Sequence, residues 1–244
     1  MDKRRSYKPN LADPIRLVPE FAWDNREMAG RDERHILTYS ALSIYACLVA
    51  CSLWRHEPWA DEAQAWLLAR DGGLLKLWSS LLHYEGTPGL WHTLLWGLIQ
   101  LGAPYRAAGV LSAVLGFLAA VIVMTRSPFP LVVRVLLPFT YFLCYQYVVV
   151  ARSYSLLPLL LFVSILLYPR RERSILAFSS VLALLAGVSV HGFLLSASMW
   201  ITSHLEFLRT WKQLEASTKK RILVADLVYV AILVLLVCSA WPAH

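Results

Sequence analysis

Long apolar runs separated by short polar or basic breaks fill most of the chain from residue 35 onward. Runs at 35–54, 107–125, 135–150, 154–168, 174–190, 193–208 and 222–241 approach or reach the roughly 17–25 residues that a helix needs to cross a bilayer. No dyad alternation of the barrel type occurs, and lipid leaves backbone groups unsatisfied unless they bond within a helix, so the spans are predicted to be helices. The stretch 57–92 breaks the pattern. It is acidic and Trp-rich, and the apolar run that follows its last turn, 88–101, has only 14 residues. That run is predicted to lie in the membrane interface or to re-enter, since it falls short of a span.

Composition agrees with a membrane protein: 58% of the residues are apolar, 16% are charged, and there are ten Trp in 244 residues. Such a chain is too apolar for a soluble domain. The net charge of +7 reads as an orientation signal, because the basic residues sit in clusters between runs, and nucleic-acid binding is not expected. Cys47, Cys51, Cys144 and Cys238 all fall inside apolar runs, as buried small hydrophobes rather than a disulfide or zinc framework. Residues 1–34 mix eight basic with seven acidic residues and three prolines. They are read as a cytoplasmic tail with at most a short surface helix near 20–30. No small-residue cleavage site follows the run at 35–54, so that run is expected to stay as an anchor.

Charge decides the parity. With the cluster at Lys3, Arg4 and Arg5 inside and 88–101 not crossing, eighteen of the twenty-three Lys and Arg fall on the cytoplasmic side and five outside. Counting 88–101 as a span would instead put the cluster at Arg170, Arg171 and Arg173 outside. The first reading gives an all-α polytopic membrane protein with about seven transmembrane helices. Its organisation is a tail at 1–34 and a transmembrane module at 35–244, with an external first loop at 55–106.

Within that loop, Pro58 and Asp61 followed by Gln64 predict a helix start, with the helix running to Asp71 and broken by Gly72 and Gly73. Leu74, Leu75, Leu77, Trp78, Leu81 and Leu82 then form an apolar face opposite Lys76, Ser79 and Ser80, as in a helix lying in the interface. Thr87 before Pro88 predicts a cap for the next helix.

Five of the sixteen carboxylates lie in this loop. Asp61 and Glu62 are adjacent, so on a helix they diverge by about 100° and take separate tasks. A carboxylate at the apolar edge of a membrane suits a general base; the structural alternative makes Asp61 a helix cap and Glu62 a first-turn acid. Glu85, in HYEGTP, sits at a turn, where it orients an acceptor, shares a divalent cation, Mg or Mn, with Asp61, or is simply a solvated loop acid. His83 and His92 lack zinc-ligand spacing. Arg152 is the only charge between Arg134 and Arg170. At the end of a span it is either a phosphate-binding fork, with Tyr154 adding a hydroxyl, or an arginine snorkelling to headgroups. His191, beside Gly192, is a phosphate contact, a proton relay or an interfacial histidine.

In order, W-A-D-E-A-Q-A-W-L-L-A-R-D, H-Y-E-G-T-P-G-L-W, V-A-R-S-Y-S-L-L-P-L-L-L and S-V-H-G-F resemble the landmarks of GT-C glycosyltransferases. The likeness is to the bacterial relatives of protein O-mannosyltransferases and of the aminoarabinose transferase for lipid A. It covers roughly residues 35–195 and matches the N-terminal module of such enzymes. It implies transfer of a sugar from a polyprenyl-phosphate donor to an acceptor hydroxyl at the external face of a bacterial inner membrane. By resemblance Asp61 is the catalytic acid position and Glu62 its companion. Glu85 and His83 fall in a substrate-binding stretch that in the family often ends in H-P, where this chain has Thr87 and Pro88. Arg152 and Tyr154 match the A-R-x-Y donor-phosphate stretch, and His191 a shorter H-G pair. Members of the family usually continue with more spans and an external domain, so a chain ending at His244 is expected to be a minimal module, a fragment or half of a split enzyme. The rival reading is a non-catalytic membrane subunit that binds a lipid phosphate beside a second subunit.

Overall fold

The computed structural model describes residues 31–85 and 87–240, and those residues form ten α-helices and no strand. The tail to residue 30, its expected surface helix and the cluster at Lys3 to Arg5 lie outside the described residues. The helices are α1 (Arg31–Arg55), α2 (Ala60–Lys76), α3 (Leu82–Glu85), α4 (Leu90–Gln100), α5 (Ala107–Arg126), α6 (Leu131–Leu136), α7 (Leu156–Leu167), α8 (Ile175–Ala186), α9 (Val190–Thr210) and α10 (Ala216–Ala240). Four segments are long and apolar enough to cross a membrane: Glu33–Arg55, Ala107–Arg126, Ser153–Arg170 and Ala216–Ser239. They coincide with four of the predicted spans and carry the signature of a multi-pass membrane protein. α8 has 12 residues and is apolar but shorter. α9 has 21 residues, yet His204, Glu206 and Arg209 interrupt its apolar character.

The helix ends gather at two poles. At one, which we call the loop pole, the end of α1, the start of α2 and the start of α5 line a common pocket. At the other, the basic pole, the start of α1 and the end of α5 share a second pocket with Arg134 of α6. α1 and α5 therefore run antiparallel. α7 leads away from Arg152 to Arg170, and at its far end Arg171 pairs with Glu206 while the Arg221 guanidinium donates to the Arg173 carbonyl at 3.0 Å. α4 stays at the loop pole. Its first amide, Leu90 N–H, donates to the Gly187 carbonyl at the end of α8. The chain after it returns Tyr105 edge-on to Trp66 of α2, ring centroids 5.6 Å apart. Eleven residues rise only about 16 Å, half of a hydrocarbon core.

A cluster built on Ala65, Trp66, Ala69, Trp91, Leu95, Ala151, Leu156 and Val188 packs α2 and α4 onto the ends of α5, α7 and α8. The acidic stretch is thus part of the packed fold. A second cluster joins α8, α9 and α10, and a third joins α1 and α5 under Val148.

Four local expectations change. The N-cap of α2 is Trp59, not Asp61, and the side chain that reaches back to the cap amide belongs to Glu62. Asp61 falls inside the first turn, leaving its carboxylate free for a tertiary partner. The break in this helix sits at Gly73 alone, where φ 63° and ψ 161° is a conformation that only glycine adopts without strain. The cap of α4 is Gly89 with no side-chain bond, so Thr87 is not its cap. Residues 135–150, expected as one span, form instead the end of α6, a 3₁₀ turn at Leu137–Phe139, a π-helical turn at Phe142–Gln146 and further turns. Pro138 lacks an N–H and Thr140 is extended, so no continuous ladder crosses this stretch. Carbonyls released there find side chains: Tyr45 OH donates to Leu143 O at 2.6 Å and Ser112 OH to Val150 O at 3.4 Å.

Candidate functional site

The site begins with Glu62, whose position in the first turn of α2 aims its carboxylate back across the 56–59 turn and sideways to residue 151. Oε2 accepts from the Trp59 amide at 2.7 Å and faces His56 Nε2 at 2.8 Å; Oε1 accepts from the Ala151 amide at 2.6 Å. The side chains of Glu62 and His56 are 3% and 5% exposed. A buried carboxylate is tolerated when its lone pairs are met, and here three donors meet them. His56 Nδ1 lies 3.3 Å from the Tyr145 hydroxyl. With Tyr145 donating to Nδ1, the Nε2–H donates to Glu62. Tyr145, His56 and Glu62 so form one chain of polar contacts, and two segments 89 residues apart are stapled together.

The staple sets the register of the residues on either side of it. Asp61 and Arg152 are the immediate neighbours of Glu62 and Ala151, and Asp61 Oδ2 lies 2.9 Å from Arg152 Nη1. Asp61 is 53% exposed and Arg152 38%; the carboxylate is therefore not desolvated at an apolar edge as the sequence reading supposed, but stands in an open site facing a guanidinium. Tyr154 places its ring 5.8 Å from the Arg152 guanidinium carbon and 5.9 Å from the Tyr147 ring. Asp61, Glu62, Arg152 and Tyr154 are thus brought together.

Beside this constellation a cavity of about 370 Å³ opens between α1 and α5. Ala50, Leu53, Trp54, Ala108 and Val110 form its apolar walls, and His56, Glu62, Tyr105 and Arg106 its polar end. The Tyr105 hydroxyl is buried without a hydrogen-bond partner, and burial, reinforced by the Glu62 charge, pushes its pKa up. The hydroxyl is therefore a neutral donor with no acceptor among the described residues.

The other predicted residues sit on other elements, Glu85 and His83 on α3 and His191 on α9. Glu85 accepts from Gln64 Nε2 at 2.5 Å, on the next turn of α2 from Asp61. Gln64 thus ties Glu85 to the helix that carries Asp61. Among the described residues no group of three or more His, Cys, Asp and Glu gathers as a metal site. His83 is half-buried in α3, and His191 is exposed on the first turn of α9, where Ser189 caps the helix by accepting from the Gly192 amide.

Two residues were missed. His56 lies outside the acidic motif, yet its place two residues before Pro58 put it within reach of a side chain turning back from α2. His92, given only as a non-ligand, is 4% exposed with both ring nitrogens unpartnered. Burial holds its imidazole below the usual pKa of 6.5, with Glu85 pulling the other way. Set against known proteins, the chain matches no family model, no curated protein and no solved structure.

Proposed function

We propose that the chain is a membrane glycosyltransferase that moves a sugar from a polyprenyl-phosphate-linked donor to an acceptor hydroxyl at the external face of the membrane. The observation that carries the reading is the Asp61–Arg152 pair, a carboxylate and a guanidinium from distant segments held 2.9 Å apart beside an apolar cavity. The four motifs that resemble GT-C enzymes support it, since two of them supply this pair. In this reading the chain crosses the membrane seven times, the third time through the broken 135–150 stretch rather than a helix, and the loop pole is external, in keeping with the concentration of Lys and Arg away from that pole.

The chemistry follows from the charges. The acceptor oxygen bonds to the anomeric carbon of the sugar while the bond from that carbon to the phosphate oxygen breaks, and its electron pair leaves with the polyprenyl phosphate. Asp61 takes the proton of the acceptor hydroxyl, the task of a general base. Arg152 faces the phosphate as negative charge grows on it, with the Tyr154 hydroxyl beside it. Donor phosphate competes with Asp61 for Arg152, so donor binding opens the resting ion pair and releases the base. The cavity takes the first units of the polyprenyl chain along Leu53, Trp54 and Val110. Glu62 serves as a positioning residue.

Transfer of labelled sugar from a membrane lipid extract to acceptor, in vesicles holding the purified chain, tests the reading. Asp61→Asn is expected to lower turnover at least about 100-fold while donor-lipid binding persists. Unchanged turnover in this variant would refute the assignment. The resting ion pair also fits a second reading, a non-catalytic subunit that clamps a lipid phosphate with Arg152. That reading predicts no turnover by the wild-type chain and loss of lipid binding in Arg152→Ala.

A further inference from the structure

The basic pole carries a pocket that the proposed reaction does not use. It has a volume of about 410 Å³ and lies between the start of α1, the end of α5 and α6, lined by Arg34, His35, Thr38, Tyr39, Met124, Thr125 and Arg134. No Asp or Glu occurs in the sequence between Glu85 and Glu172. Neither α5 nor α6 can therefore offer a carboxylate to Arg134. Its Nε is buried and has no hydrogen-bond partner among the described residues. A guanidinium donor shielded from water and left unmatched is costly unless an acceptor reaches it. Arg126 adjoins Thr125 at the end of α5 and adds to the positive field.

We propose that this pocket seats the phosphate group of an anionic phospholipid from the leaflet at the basic pole. The hydroxyls of Thr38 and Thr125 donate to Arg34 O at 2.8 Å and Val121 O at 2.6 Å, so Arg134, not the threonines, supplies the bonds to the anion. Arg134 is the anchor because its planar fork matches a pair of phosphate oxygens. The surroundings point to a lipid as the source of that phosphate. Met124 gives the pocket an apolar lining beside Tyr39, and Ile36, Tyr39, Val132 and Leu136 on the same two helices, α1 and α6, are exposed apolar side chains for acyl chains to meet. Basic pockets between membrane helices bind anionic headgroups by this combination. The site is separate from the Asp61–Arg152 pair, which lies at the opposite pole.

Native mass spectrometry of the full chain released from nanodiscs of equal parts phosphatidylglycerol and phosphatidylcholine tests the assignment. Wild type is expected to retain one phosphatidylglycerol that Arg134→Gln loses, with apparent affinity falling about tenfold, while Arg134→Lys keeps part of it. Retention in Arg152→Ala should match wild type, which separates this pocket from the proposed donor site. Displacement of the lipid by millimolar inorganic phosphate would show that the seat holds the phosphate without its chains; persistence against it would identify the lipid as the occupant, and both support the seat. If Arg134→Gln does not fold, wild type alone decides: no preference for phosphatidylglycerol over phosphatidylcholine overturns the proposal. So does equal retention by wild type and a folded Arg134→Gln.

Discussion

Two adjacent acids in the first turn of α2 have opposite work, and burial separates them. Glu62 is 3% exposed and answers three donors, whereas Asp61 is half exposed and answers one guanidinium. Removing the buried acid strands His56 and two amides, so Glu62→Ala is expected to cost about 3–5 kcal/mol. Asp61→Asn breaks only a solvated pair, worth under about 1 kcal/mol. Thermal unfolding in detergent should show a large drop for Glu62→Ala and almost none for Asp61→Asn; equal drops would mean that the staple is not where the stability lies. The pair Asp61 and Arg152 stood out in the sequence by residue type, one in an acidic cluster and the other a lone charge in an apolar run. Their division of labour with Glu62 did not. The bond from Glu62 to the Ala151 amide depends on a backbone donor, which leaves no mark on composition.

At the scale of elements, length and hydropathy carried the reading where helices are regular and failed where they are not. The runs at 35–54, 107–125, 154–168 and 222–241 are continuous and became the four long apolar helices. The run at 135–150 is equally apolar, but Pro138 and the bulky Tyr141 to Tyr147 stretch wind it into short turns over α5. That winding is what brings Tyr145 to His56 and Ala151 to Glu62. The turn from α8 to α9 shows a similar dependence on close approach. A Cβ on Gly192 would come within 2.2 Å of the Leu185 carbonyl oxygen. Gly192→Ala is therefore expected to destabilise the chain by about 1–3 kcal/mol through overpacking. A melting temperature within a degree of wild type would show that the turn yields freely. The glycine of the H-G pair at 191–192 has at least this packing reason, while His191 itself is exposed.

For the whole molecule, two poles of different chemistry organise everything else. One joins the first loop to residues 145–155 around Asp61 and Arg152; the other gathers Arg126, Arg134, Arg170, Arg171, Arg173 and the basic start of α10. The charge asymmetry that sets the parity in sequence therefore has a spatial counterpart in α1 and α5 running antiparallel. The account stands on one juxtaposition, that the first loop and the 151–154 segment meet on the outer side of the membrane. Cysteines introduced as Asp61→Cys and Arg152→Cys, in a chain whose four native cysteines are replaced by alanine, measure it directly. Treated with a short membrane-impermeant bis-methanethiosulfonate, whose two ends each form a disulfide with a cysteine thiol as sulfinate leaves, the double variant in right-side-out vesicles is predicted to become linked within one chain. Two thiols that stay unlinked, or that react only after the vesicles are opened, would contradict the account.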